Sequence, residues 1–130
     1  MIIQESIRKE KRIFTMIVLE PQEDNYMTRD IDGDWYSSEE VEKACYEFNQ
    51  YCNKISLFHF MEMDTVRVCA SWINPVDSVL GGELVKKGTW LMTLHVEDRP
   101  LNDFIWQGVL DGTINGLSID CFVQKEEIKD

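Results

Sequence analysis

The stretch "TWLMTLHVE", Thr89 to Glu97, decides the fold class. Trp90, Met92, Leu94 and Val96 stand on one side of an alternation, with Thr89, Thr93, His95 and Glu97 on the other. Leu91 alone puts an apolar side chain on the second face. A period of two marks a strand with one face on a core and the other toward water. One-sided burial of that kind is the habit of antiparallel sheets, whereas parallel strands read as continuous apolar runs.

Working outward, "KRIFTMIVLEP" reads as a first strand from Arg12 to Glu20, ended by Pro21. The polar, acidic "QEDNYMTRDIDGDWY" that follows is a loop. "SSEEVEKACYEFNQYCNKI" is a helix. Ser37 and Glu40 form a capping box, and Val41, Ala44, Cys45, Phe48, Cys52 and Ile55 recur at helical steps on one face. "SLFHFMEM" and "TVRVCASWI" read as two strands with a tight hairpin at Asp64-Thr65. "NPVDSVLGGELVKKG" connects them to the central strand. "RPLNDFIWQGVLDG" is a short helix, with Pro100 near its first position and Gly112 past its end. "DGTINGLSIDCF", Asp111 to Phe122, mixes turn dipeptides with the alternating Leu117, Ile119 and Cys121, and so reads as a turn into a last strand.

Helices and strands do not alternate regularly along this order, as a doubly wound sheet requires. The expected fold is α+β, a mainly antiparallel sheet or barrel flanked by helices. One domain is expected over residues 1–130, with a folded core over 12–123 and a short charged tail. No internal repeat interrupts it.

Composition excludes several function classes. Lys and Arg total 13 against 24 Asp and Glu, a formal net charge of −11. Nucleic acid is therefore not an expected partner, because phosphate binding needs a basic face. No run approaches the length of a membrane span and no signal peptide opens the chain, so a soluble, cytosolic protein is expected. Four cysteines sit within apolar patterns, without C-x-x-C spacing, and are expected as reduced thiols. Cys45 and Cys52 lie two helical turns apart, too far to pair with each other. Asp30, Asp32 and Asp34 resemble the start of a calcium loop. Val41 stands where the twelfth-position glutamate belongs and Gly33 comes too early, so neither metal nor cofactor is expected.

The chemistry that remains is short. His59 and His95 are the only histidines. His59 shares the less polar alternation of its strand with Leu57, Met61 and Met63, where partial desolvation keeps an imidazole neutral and able to take a proton. The other reading is a core histidine bonded to a backbone carbonyl. His95 lies on the polar face and reads as a surface residue. Ser118 follows the Asn115-Gly116 turn by two residues. It is either an ordinary strand serine or a nucleophile delivered by a turn. The pattern is not the G-x-S-x-G elbow.

Several segments fit together in one order: "DGDWYSSEEVEKACYEF", "LFHF", "ASWINPVD", "LVKKGTWLMTLHV" and "FIWQGVLDGTINGLSIDCF". In that order the chain resembles the XkdF-like phage serine protease family, relatives of the prohead (capsid maturation) proteases. The likeness runs from Asp32 to Phe122 and is carried most specifically by K-K-G-T-W with N-G-L-S-I. It implies the assemblin fold of the herpesvirus proteases, a β-barrel flanked by helices. It also implies Ser118 as nucleophile and His59 as base in an acyl-enzyme mechanism. Substrates and partners would be the phage scaffold and major capsid protein, in the host cytoplasm or immature prohead. A homodimer is an expectation of the assemblin likeness alone.

The third catalytic member stays open among Asp120, Glu62, Asp64 and His95, the last by analogy with a His-Ser-His arrangement. The family's glycine soon after the nucleophile is absent here, where the run is Ser118-Ile119-Asp120-Cys121-Phe122. That departure keeps a second reading alive, a catalytically inactive assemblin-like module with a structural or scaffold role in head assembly.

Overall fold

In the computed structural model, which describes residues 1–22, 36–52, 55–57, 61–62, 66–116 and 118–119, the stretch that decides the fold class is an inner strand. The elements are β1 (Ile2–Arg8), β2 (Ile13–Leu19), α1 (Ser38–Tyr51), β3 (Ile55–Leu57), β4 (Met61–Glu62), β5 (Val66–Ile73), β6 (Ser78–Leu80), β7 (Glu83–Val85), β8 (Trp90–Val96), α2 (Asp103–Asp111) and β9 (Ser118–Ile119). A single 3-10 turn, Pro100–Asn102, leads into α2. The main sheet has the order β1-β2-β8-β5, and all of its pairings are antiparallel. A second sheet has the order β4-β3-β9, and β6 and β7 form a hairpin of their own. The protein is thus α+β with an antiparallel four-stranded sheet. Among the described residues the strands close no barrel.

The alternation at β8 is realised in burial. Trp90, Met92, Leu94 and Val96 are wholly buried, in one cluster with Phe14 and Met16 of β2, Val41, Cys45 and Phe48 of α1, and Ile105, Trp106 and Val109 of α2. Each such side chain contributes about 1.5–3 kcal/mol by leaving water, so this face dominates stability. Leu91, the exception to the alternation, is explained by the other face of the sheet. It packs in a smaller cluster with Ile3, Ile17 and Val85, beneath Trp72 and Leu80. The β6–β7 hairpin provides that second cover. Residues 74–88 read as a connector in sequence because each of these strands has three residues, too few for a periodic signal. Its Gly81-Gly82 turn has positive φ at both positions, 55° and 81°, as a tight two-residue hairpin demands.

Helix α1 has its expected start. Glu40 donates its backbone N–H to Ser37 Oγ, and the Glu40 carboxylate accepts from Ser37 N at 3.0 Å. Its end differs from the expected one at Ile55. Cys52, at φ −129°, has left the helical basin, and β-branched Ile55 starts β3 instead. Two further differences concern strands. β1 lies ahead of the folded core expected from residue 12, yet Ile2 and Ile3 are buried on opposite faces of the sheet. The single strand expected over 56–63 is two, because Ser56 pairs with Glu62 and Leu57 with Met61. The expected hairpin at Asp64-Thr65 lies outside the described residues. β5 pairs with β8 in the main sheet.

Cysteine chemistry also departs from expectation. Cys45 and Cys69 are free thiols, whereas Cys52 is disulfide-bonded. No helix among the described residues is long and apolar enough to cross a membrane.

Candidate active site

Ser118 reaches its place through a chain of backbone constraints that begins in α2. Gly112 ends that helix in the left-handed region at φ 85°, where a glycine carries no Cβ penalty. Asp111 steadies the exit, its carboxylate accepting the Thr113 N–H at 2.8 Å. Hydrogen bonding to the charged form, from the Thr113 side chain first and then from this backbone N–H, holds the Asp111 carboxyl below its ordinary pKa. Ile114 then turns back onto the helix, donating its N–H to the Gly108 carbonyl at 2.9 Å. One residue later the Asn115 carbonyl accepts the Ile2 N–H at 2.6 Å. The edge strand β1 therefore anchors the turn that leads into β9.

β9 pairs with β3 in antiparallel register, Ser118 opposite Ser56 and Ile119 opposite Ile55. On its other side Ser56 pairs with Glu62 of β4. Glu62, Ser56 and Ser118 thus stand in one row of the backbone register across the three-stranded sheet. With strands spaced about 4.8 Å apart, the Cα atoms of the outer members of the row are roughly 10 Å apart across the sheet. Of the four candidates for a third catalytic residue, Glu62 is the one whose strand joins the sheet of Ser118 within the described residues. His95 belongs to the other sheet, on β8 opposite Ile13 and Arg67. Asp64, Asp120 and His59 lie outside the described residues, as do Asp30, Asp32 and Asp34.

A groove of about 700 Å³ opens elsewhere, between the first half of α1 and the ends of β5 and β7. Glu39, Glu42 and Tyr46 line one wall, and Ile73, Asn74 and Lys87 line the other. Asn74 is the residue that sequence reasoning missed. It is buried, and its side-chain amide donates to the Val85 and Lys86 carbonyls at 3.1 and 3.2 Å. Its N–H and C=O also pair with Thr89 and Gly88, each at 2.8 Å. An asparagine immediately before Pro75 was the available signal, because its side chain can supply local bonds that the proline cannot. Asn74 ties the β6–β7 hairpin to the start of β8. Among the described residues no cluster of His, Cys, Asp or Glu has the geometry of a metal site.

Comparison with known proteins places these features in a family. Residues 1–127 match the family model described as "Putative phage serine protease XkdF". The phage-like element PBSX protein XkdF of Bacillus subtilis (strain 168) is 29% identical over 114 residues, which is 88% of this chain and 38% of that protein. The uncharacterized protein YqbD of the same organism is 28% identical over 110 residues, 85% of this chain and 31% of that one. The chain thus spans about a third of the length of these relatives. No solved structure matches it. With the family model covering all but its last three residues, the chain belongs to the XkdF family of phage proteins that this model describes.

Proposed function

We propose that this protein is a serine endopeptidase of phage head maturation, with Ser118 as nucleophile and His59 as its general base. The observation that supports the reading best is the β3–β9 pairing, which sets Ser118 beside the strand that runs on in sequence toward His59. In the proposed mechanism His59 takes the Ser118 proton as the oxygen attacks a scissile carbonyl. The resulting imidazolium then protonates the leaving amine, and water, activated by the same base, releases the acyl group. Glu62 is the preferred third member. Glu62 stands in register with Ser118 through Ser56, and a carboxylate partner would favour the imidazolium form of the base and fix its tautomer. Asp64, Asp120 and His95 are the alternatives to it.

The substrates in this reading are the phage scaffold and the major capsid protein, met in the host cytoplasm or the immature prohead. The architecture would be that of the assemblins, including their barrel and their homodimer. Labelling with a fluorophosphonate probe tests the chemistry without a known substrate, since such probes react covalently only with activated serines. Wild-type protein is expected to be labelled at Ser118, with labelling lost in Ser118→Ala and reduced at least tenfold in His59→Ala. Equal labelling of Ser118→Ala would remove this serine from the mechanism. Absence of labelling in the wild type, together with unprocessed scaffold and capsid protein on co-expression, would favour a structural module without peptidase activity.

A further inference from the structure

The groove beside α1 has walls of opposite charge. Glu39, Glu42 and Tyr46 follow one another at steps of three and four residues, so they share one flank of the helix, next to its buried face of Val41, Cys45 and Phe48. Ile73 and Pro75 add apolar surface, and Lys87 stands on the opposite wall. We propose that this groove docks an extended peptide of a protein partner, one in which an arginine and an acidic residue are adjacent. The arginine meets Glu39, Glu42 and Tyr46, and the carboxylate meets Lys87.

The charges of the groove are uncompensated. Among the described residues no Lys or Arg forms an ion pair with Glu39 or Glu42, and no Asp or Glu forms one with the Lys87 ammonium. Asp77 accepts only the Lys87 backbone N–H, at 2.7 Å. Two carboxylates that neighbour each other on a helix surface repel, and a cation placed between them relieves that repulsion. The Tyr46 hydroxyl donates to Glu42 at 3.4 Å, and the negative charge of Glu42 holds this phenol above its ordinary pKa. Tyr46 is half exposed, leaving its ring open to a ligand. A guanidinium suits this set better than an ammonium, because it is planar, stacks on aromatic faces and makes paired bonds with a carboxylate.

Both walls are set in place by the protein itself. The capping box of Ser37 and Glu40 fixes the start of the helix. Opposite it, Asn74 is bonded through its side chain to the Val85 and Lys86 carbonyls and through its backbone to Thr89 and Gly88. Gly88, at φ 90°, approaches the helix so closely that a Cβ there would lie 3.1 Å from Ser38 Oγ. Walls held in this way lower the ordering cost of binding. The volume of about 700 Å³ is in the range of pockets that enclose a drug-sized ligand, more than one side chain fills. Successive side chains of an extended peptide point to opposite sides, so adjacent residues reach opposing walls. The net charge of −11 draws cationic segments toward the protein, and Lys87 discriminates among them.

The site is independent of Ser118 being a nucleophile. Its test is a titration of the full, nitrogen-15-labelled chain with the peptide acetyl-Ala-Arg-Glu-Ala-amide, followed by amide chemical shifts. Saturable shifts are expected at Glu39, Glu42, Tyr46 and Lys87, with a Kd of about 1 mM or tighter that weakens with added salt. Citrulline in place of the peptide's arginine keeps the shape without the charge, and should weaken binding about tenfold. Acetyl-Ala-Arg-Ala-Glu-Ala-amide, which points both charges to one side, should bind about threefold more weakly. On the protein, Glu39→Gln with Glu42→Gln should weaken binding about tenfold at an unchanged melting temperature. Lys87→Gln should lower affinity for the glutamate peptide but not for its glutamine counterpart. Absence of saturable shifts at these four residues, or equal affinity of the wild type for the arginine and citrulline peptides, would overturn the proposal. Equal affinity for the glutamate and glutamine peptides would overturn the pairing of a carboxylate with Lys87.

Discussion

Gly108 and Ile114 are in contact across the end of α2, so close that a Cβ on Gly108 would lie 2.7 Å from both Cγ1 and Cδ1 of Ile114. The same two residues share the hydrogen bond from Ile114 N to the Gly108 carbonyl. The glycine lets the chain fold back on its own helix, and the returning segment is the one that Ile2 anchors before Ser118. A contact between helix and turn therefore sets the approach to the candidate nucleophile.

Gly108→Ala should destabilise the protein although alanine is the better helix former. The propensity gain is about 1 kcal/mol, but Cγ1 belongs to a β-branched side chain that cannot rotate away freely, and overpacking costs roughly 1–3 kcal/mol. A net loss of about 1 kcal/mol is expected in urea unfolding. Adding Ile114→Ala should cost less in the Gly108→Ala background than in the wild type. Strict additivity of the two changes would show that the contact is not tight.

At the hairpin the two turn glycines should respond differently. Both have positive φ, so alanine is strained at either position. At Gly81 the added Cβ meets Ile3 Cγ2 at 2.9 Å and the Ser6 backbone nitrogen at 3.2 Å, neither of which can move without disturbing β1. At Gly82 it meets only the Glu5 carboxylate, the far end of a flexible side chain. Gly81→Ala should therefore lower stability by about 1–2 kcal/mol more than Gly82→Ala. Equal melting temperatures for the two variants would contradict this packing.

Much of this architecture was legible in the sequence, and the exceptions have physical causes. The alternation from Trp90 to Val96 named the buried face of the central strand correctly, and Ser37 with Glu40 named the start of α1, because both signals are local and periodic. β1 was hidden because its buried Ile2 and Ile3 are adjacent in sequence and serve different faces, so no alternation appears. The division of 56–63 into β3 and β4 depends on which strand pairs with which, and apolar pattern alone carries no pairing partner. Ser118 could be nominated from resemblance. Its row with Ser56 and Glu62 needed the register.

Ser71 should prove more important than its size suggests. Its hydroxyl accepts the indole N–H of Trp90 at 2.9 Å, and Trp90 is wholly buried. Ser71→Ala leaves that donor without a partner, which costs about 1–3 kcal/mol. In a Trp90→Phe background, where no indole N–H remains, the same serine substitution should cost less than 1 kcal/mol. A large cost in both backgrounds would mean that Ser71 acts through something other than the indole.

Cys45 links this cluster to pH. Burial pushes its thiol above the ordinary value of 9.0, while weak hydrogen bonds with Ser71 and Asn49 oppose the shift. A thiol whose folded pKa is raised binds its proton more tightly in the native state. Its contribution is fully present below the unfolded pKa near 9 and is lost as pH rises toward the folded value. Stability should therefore decline with pH above about 9, and Cys45→Ala, though less stable overall, should decline less steeply over the same window. The same burial predicts selectivity toward an aromatic disulfide reagent in the native protein at neutral pH. Exposed Cys69 should react at once, and Cys45 only at the rate of unfolding. Fast reaction of both thiols would place Cys45 within reach of solvent and remove the cause assigned to its shift.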